Sequence, residues 1–280
     1  MTEKVPPNGS GCGEKDMTNI VQYGDPTDTT RGPSPIIWGD CPWLEIEAQA
    51  GSGSSGYSFW DDFINAPDHL TNVAHGAAQV GKYQTFLSDG SAIGNVAQEG
   101  GAVFLNSSAS NEAAILKCGG SAFNLATNSK KLWFEARVKF GTIANDQNGV
   151  FLGLYEDVAM TATVPLTATG TLAPEVAVGF YKFEEDGDGL DLVHCDGTTA
   201  TTLKADATTL VADTYYKLGM VFEDDVITFF NDGTAYADTL SVGATEYPDA
   251  ATVNPVIAIQ GEATEATGVT LDWWRVAQLG

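Results

Sequence analysis

Carboxylates are densest at Glu184, Glu185, Asp186, Asp188 and Asp191. Two of them could cleave a glycosidic bond, one as acid and one as nucleophile or base, if both stood on one strand face. Gly187 and Gly189 break the run and predict a turn, so no such pair is expected. Within it, Asp-Gly-Asp-Gly-Leu-Asp offers Asp186, Asp188 and Asp191 as oxygen ligands for calcium. A calcium loop also wants a glycine at its sixth position and a closing bidentate glutamate, and both are missing. The expectation is a solvated hairpin without metal.

Other chemical motifs are thin. Gly51, Gly53 and Gly56 in GSGSSG match the letters of a dinucleotide fingerprint, but no helical pattern follows to present an N-terminus to pyrophosphate, so a linker is expected. His69, His75 and His194 lack partners at ligand spacing. No Gly-x-Ser-x-Gly elbow and no phosphate loop occurs. Cys12, Cys41, Cys118 and Cys195 stand far apart, and free thiols are the reading. Cys118 and Cys195 close strand-like runs and are expected in the core, while Cys12 and Cys41 would pair only on oxidation. No catalytic residue and no cofactor is expected.

The elements that must carry any site are strands. From Tyr57 onward short apolar alternations are separated by turn signals, and helical spacing is nearly absent. In Leu132–Phe140 the residues Trp133, Glu135, Arg137 and Lys139 oppose Leu132, Phe134, Ala136, Val138 and Phe140. Further strands are predicted at 149–155, 176–183, 190–195, 256–260 and 269–276. From Tyr215 to Leu240 the Asp224-Asp225 and Asp232-Gly233 turns predict a three-stranded meander. More than a dozen such segments imply two stacked antiparallel sheets, an all-β sandwich over residues 57–280.

Residues 1–56 differ: they are rich in Pro, Gly, Thr and Asp, end in GSGSSG, and read as an extended N-terminal arm and linker. Ile36, Ile37, Trp38, Trp43 and Leu44 gather around Pro35 and Pro42, and apolar residues at that density call for a surface to bury against. The arm is expected to supply contacts to a partner and not core. Net charge is −24, which repels phosphate backbones and argues against nucleic acid as a partner. No apolar stretch is long enough to span a membrane, and the start MTEKVPPNGSGCGEKD holds no secretion-signal run, so cytosolic synthesis is expected.

The segments YSFWDDF (57–63), NEAAILKCGG (111–120), KKLWFEARVKF (130–140), GVFLGLYED (149–157), YYKLGMVFE (215–223), ITFFNDG (227–233) and VTLDWWRV (269–276) follow one another in an order that resembles a family of tailed-bacteriophage virion proteins. That family has a concanavalin A or laminin-G-like jelly roll, and the resemblance spans residues 57–280. It implies a non-enzymatic capsid decoration or cement protein on the outside of the head. Its partners would be the major capsid protein and copies of itself, as a trimer or dimer. Hydrolases on this sandwich carry Glu-x-Asp-x-x-Glu on a strand, a spacing this chain lacks.

The alternative is a carbohydrate-binding module of a phage head or fibre attaching to host glycans. Trp60, Tyr155, Tyr181 and Trp274 are its expected aromatic platform. Trp273 and Trp274 are neighbours on one strand and must face opposite ways: one enters the core, and the other is covered by the arm or left as a stacking surface.

Overall fold

A computed structural model describes residues 31–48, 56–64, 76–98, 100–107, 109–120, 123–141, 143, 148–167, 170–183, 187–261 and 267–280. Two short helices, α1 (Pro35–Trp38) and α2 (Trp43–Ala48), precede the strands. The strands are β1 (Tyr57–Asp61), β2 (Gly76–Val80), β3 (Tyr83–Leu87), β4 (Ala92–Asn95), β5 (Val103–Ser107), β6 (Ala113–Cys118), β7 (Phe123–Asn124), β8 (Leu132–Phe140) and β9 (Asn148–Glu156). They continue as β10 (Val176–Lys182), β11 (Gly189–Asp196), β12 (Ala200–Thr209), β13 (Tyr215–Glu223), β14 (Val226–Asn231), β15 (Thr234–Ser241), β16 (Thr252–Gly261) and β17 (Thr267–Gln278).

One sheet runs β15-β14-β13-β8-β17-β5-β4, with β1 on β17; the other runs β12-β11-β10-β9-β16-β6-β3-β2, with β7 on β16. All these pairings are antiparallel, and the predicted meander is β13-β14-β15. Between the sheets lies the main core, where Phe134, Ala136, Val138 and Phe140 meet Leu152, Leu154, Val178, Phe180 and Ile257. Cys118 and Cys195 are buried as expected; burial pushes the Cys118 thiol up to about 12 and raises that of Cys195.

Strand β17 departs from simple alternation. Leu271 pairs with Val138 and Trp273 with Arg137, so Asp272 is an extra residue, a bulge. The inward set therefore switches from Val269 and Leu271 to Trp274 and Val276. Asp272 is fully buried and carries two guanidinium groups, Arg137 from the sheet and Arg31 from the N-terminal segment.

Residues 31–48 lie on the outer face of this eight-stranded sheet, wound into two short helices where an extended arm was expected. Pro35 at the start of α1 presets the helical φ, and the Gly39 N–H closes it on the Pro35 carbonyl. Ile37, Trp38 and Ile46 are buried with Trp133, Phe230 and Ala277. Gly219 makes room: a Cβ there would come 2.5 Å from Ile37 Cδ1. Beneath them Glu135 is fully buried, accepting the Ser34 N–H at 3.0 Å and the Trp38 Nε1–H at 2.7 Å. Its carboxyl pKa is raised by burial, against the lowering pull of those hydrogen bonds. This segment is thus part of the packed structure, and the expectation that it supplies contacts but no core is corrected for residues 31–48.

Candidate functional site

Strand β1 ends beside the β2-β3 hairpin, where Val80 pairs with Tyr83 and the Gly81-Lys82 turn uses a positive φ of 60° at Gly81. Between them opens a cleft of about 540 Å³ lined by Trp60, Asp61, Asp62, Val80, Gly81, Lys82 and Tyr83. Asp61 is its structural anchor. One carboxylate oxygen accepts the Phe63 N–H at 2.8 Å; the other accepts the Tyr83 hydroxyl and lies 2.9 Å from Lys82 Nζ. Burial, and then the Asp61 charge, hold the Tyr83 hydroxyl well above the usual phenol range.

Trp60 and Asp62 are partly buried and Lys82 is exposed. Asp62 accepts the Ile64 N–H at 3.3 Å. The Lys82 side chain is half exposed, its Nζ 5.1 Å from the Phe59 ring centre and 5.6 Å from that of Tyr83. The half-buried Trp60 donates its Nε1–H to Glu47 at 3.1 Å and has the Arg275 guanidinium 5.5 Å from its ring centre. An indole with a carboxylate and an ammonium at one cleft edge suits a polyhydroxylic ring: C–H groups pack on the aromatic surface, and hydroxyls donate to Asp62 and accept from Lys82.

Of the four aromatics expected to form a platform, only Trp60 lines this cleft. The other three are corrections. Trp274 is 0% exposed, packed between the sheets against Phe59, Phe63 and Tyr83. Tyr155 and Tyr181 are on the outer face of the nine-stranded sheet but are buried beneath Met160, Leu166 and Leu172. Trp273 faces the other way from Trp274 and is covered by the N-terminal segment, donating its Nε1–H to the Arg31 carbonyl at 2.7 Å.

The five residues expected to contact a partner also divide. Ile37 and Trp38 are buried against their own sheet, which corrects their assignment to a partner surface; Ile36 and Leu44 are 68% and 59% exposed, and Trp43 is half-buried. Of the acidic run, Glu184, Glu185 and Asp186 lie outside the described residues, as do His69, His75, Cys12, Gly51 and Gly53. Asp191 is buried and accepts the Asp206 N–H at 2.8 Å; His194 Nδ1 is 2.9 Å from the Glu246 carbonyl.

Asp62 and Lys82 went unnoticed in the sequence. The signal for Asp62 was its place two residues after Trp60 in YSFWDDF. Lys82 is in the turn of a local hairpin, and only tertiary packing brings that hairpin beside the end of β1.

The same hairpin borders a second cleft, about 400 Å³, on the outer face of the nine-stranded sheet. It is lined by Ala77, Gln79, Gln84, Lys117, Asp157 and Met160, among others. Lys117 is buried there and donates to Asp157 at 2.7 Å and to the Val158 carbonyl at 2.8 Å. On this face Asn254, Gln260 and the Tyr155 hydroxyl are buried without hydrogen-bond partners among the described residues.

One carboxylate pair, Glu156 and Glu175, also escaped sequence reading. Burial and then the facing Glu156 push the Glu175 carboxyl up, and Glu156 accepts the Val176 N–H at 3.1 Å.

No protein-family model and no curated protein sequence matches the chain. Solved structures do. The carbohydrate recognition domain of Emp47p superposes with a TM-score of 0.51 at 12% identity, covering 75% of this chain and 92% of that one. The corresponding domain of Emp46p, in a potassium-bound form, gives 0.51 at 10% identity over 78% and 98%. A structure from work on endo-acting O-glycanases of the human gut microbiota gives 0.50 at 9% identity over 79% and 99%. At such identities the likeness is one of fold: the chain is a concanavalin A-like, lectin-like β-sandwich.

Proposed function

We propose that this chain is a non-catalytic carbohydrate-binding module whose ligand sits in the Trp60 cleft. The observation that carries this reading is the grouping of a partly buried indole, Asp62 and half-exposed Lys82 around one cleft. Two of the structures sharing the fold being carbohydrate recognition domains adds support. Asp61 is committed through both oxygens to Phe63, Tyr83 and Lys82, which favours holding a sugar over cleaving it. The test is a glycan array. Retention of a saccharide by the wild type and its loss in Trp60→Ala, with unchanged unfolding, supports the reading; equal retention by both sinks it.

The setting we propose is the exterior of a bacteriophage particle, supported by the order of sequence segments and by the acidic surface expected from a net charge of −24. A second reading, decoration of the head lattice through the major capsid protein and further copies of the chain, is favoured by the exposed Ile36 and Leu44 on the docked segment. Binding to expanded, empty heads with a rise in their disruption temperature supports it, and absence of head binding removes it.

A further inference from the structure

We propose that the docked segment Arg31–Glu47 is a positioning element of the Trp60 cleft, so that ligand affinity there depends on the segment being seated. The inference rests on the cleft being a saccharide site.

The sheet is shaped to seat this segment. Arg31 is paired with buried Asp272, the Gly32 carbonyl accepts from Lys217 at 3.3 Å, and Ser34 and Trp38 donate to Glu135. Asp40 accepts from Trp133 Nε1 at 3.0 Å and from Lys131 at 2.5 Å. Gly219 and Gly233 leave space where a Cβ would meet Ile37, or Ile36 and Ser34. Glycine inside a strand weakens it, so its use at Gly219 is explained by the side chain that takes the space.

The far end of the segment then reaches β1. Pairing with β17 sets Trp60 opposite Arg275 and fixes its backbone, while the orientation of the indole is set by side-chain contacts. Glu47 and Arg275 both restrain the ring. Glu47 accepts its Nε1–H, and Arg275 faces it from within a ring of three tryptophans, 5.8 Å from Trp43, 5.5 Å from Trp60 and 5.9 Å from Trp273. Glu47 and Trp43 belong to α2, and Trp273 is itself held by the Arg31 carbonyl. Seating the segment therefore orients the indole before ligand arrives, and preorganisation raises affinity by removing an ordering cost.

The test uses the full chain with Glu47→Ala and Glu47→Gln, the latter keeping a side-chain oxygen that can accept. The six indole N–H resonances are followed by NMR, with Trp60 assigned by its disappearance in Trp60→Phe. Affinity is measured for a saccharide that the wild type retains on the array. In E47A the Trp60 resonance should move and affinity should fall about threefold to tenfold, while E47Q recovers most of both. An unmoved resonance in E47A overturns the proposal, as does a moved resonance with unchanged affinity. A wild-type chain that retains no saccharide overturns the cleft reading and the coupling together, and is told apart because the other two results require a binding wild type.

Discussion

On the outer face of the eight-stranded sheet, the covering segment brings hydrogen-bond donors and a guanidinium to charges buried in the sheet, Glu135 and Asp272. Residues 157–167 and 170–175 cover the nine-stranded sheet differently. They contribute an ion pair, Asp157 with buried Lys117, and carbonyls at Val158 and Gly170 that accept from Lys117 and the Tyr181 hydroxyl, and they pack Met160, Leu166 and Leu172 on Ile115, Phe151, Tyr155 and Val256. The buried amides of Asn254 and Gln260 on that sheet stay without partners among the described residues. Charges that need a particular partner fix one seating of the cover, whereas apolar contacts accept several. The segment that reaches the Trp60 cleft is the one seated on two buried carboxylates of its sheet.

Removing the shared carboxylate should break this contrast most visibly. Asp272→Ala leaves Arg31 and Arg137 largely buried without their counter-charge and should cost about 3 kcal/mol or more in urea unfolding. A loss below about 1 kcal/mol would mean that the N-terminal segment is held by packing and not by its charges. Met160→Ala, on the other side, deletes a buried side chain and should cost about 2 kcal/mol. Native-state hydrogen exchange should show the added opening confined to β9 and β10. Exchange spread evenly over both sheets would deny the second cover its independence.

Glu135→Gln sharpens the comparison through pH. The amide keeps an oxygen for Ser34 and Trp38 but carries no charge to bury. Because burial raises the folded-state pKa of Glu135, its protonation stabilises the fold fully below the ordinary glutamate value of 4.5, and this is lost as pH rises through the folded value. The variant should therefore be more stable than wild type at neutral pH, with the gap closing toward pH 4.5. Taking the difference at each pH removes the contribution of Glu175, whose pKa is raised as well. A gap that widens on acidification would show that the ionised form is the favoured one.

The sandwich was legible because strand periodicity is local: 132–140 reads inward and outward by alternation, and the structure follows it residue by residue. What covers an outward face was less legible. β10, Val-Ala-Val-Gly-Phe-Tyr-Lys, is nearly continuous in apolar residues, the mark of a strand buried on both sides. Taken at its word, that run would have withdrawn Tyr181 from the platform, and Tyr155 in β9 with it. The bulge at Asp272 is beyond sequence reading, since an inserted residue looks like any other until its partner strand is known. Trp60 was named on the same ground as Tyr155, Tyr181 and Trp274, an aromatic near polar loops, and of the four it alone lines the cleft. Glu47 was missed because its contact crosses from a helix to a strand that only the folded arrangement brings together.

The smallest expected effect is the most discriminating. Asn254 sits directly across from Tyr155 on the nine-stranded sheet, and neither its amide oxygen nor its amide nitrogen has a partner among the described residues. A buried polar group left unpaired loses its bonds to water and gains nothing in return. Leucine has the same branched heavy-atom outline, so Asn254→Leu should fold at least as stably as wild type, with a gain of up to about 1 kcal/mol in urea unfolding. A loss of more than about 1 kcal/mol would mean that the amide is satisfied by ordered water under the cover. The cover over the nine-stranded sheet would then be seated by further polar contacts beyond the Asp157–Lys117 pair, and the contrast with the Asp272 and Glu135 side would be one of degree.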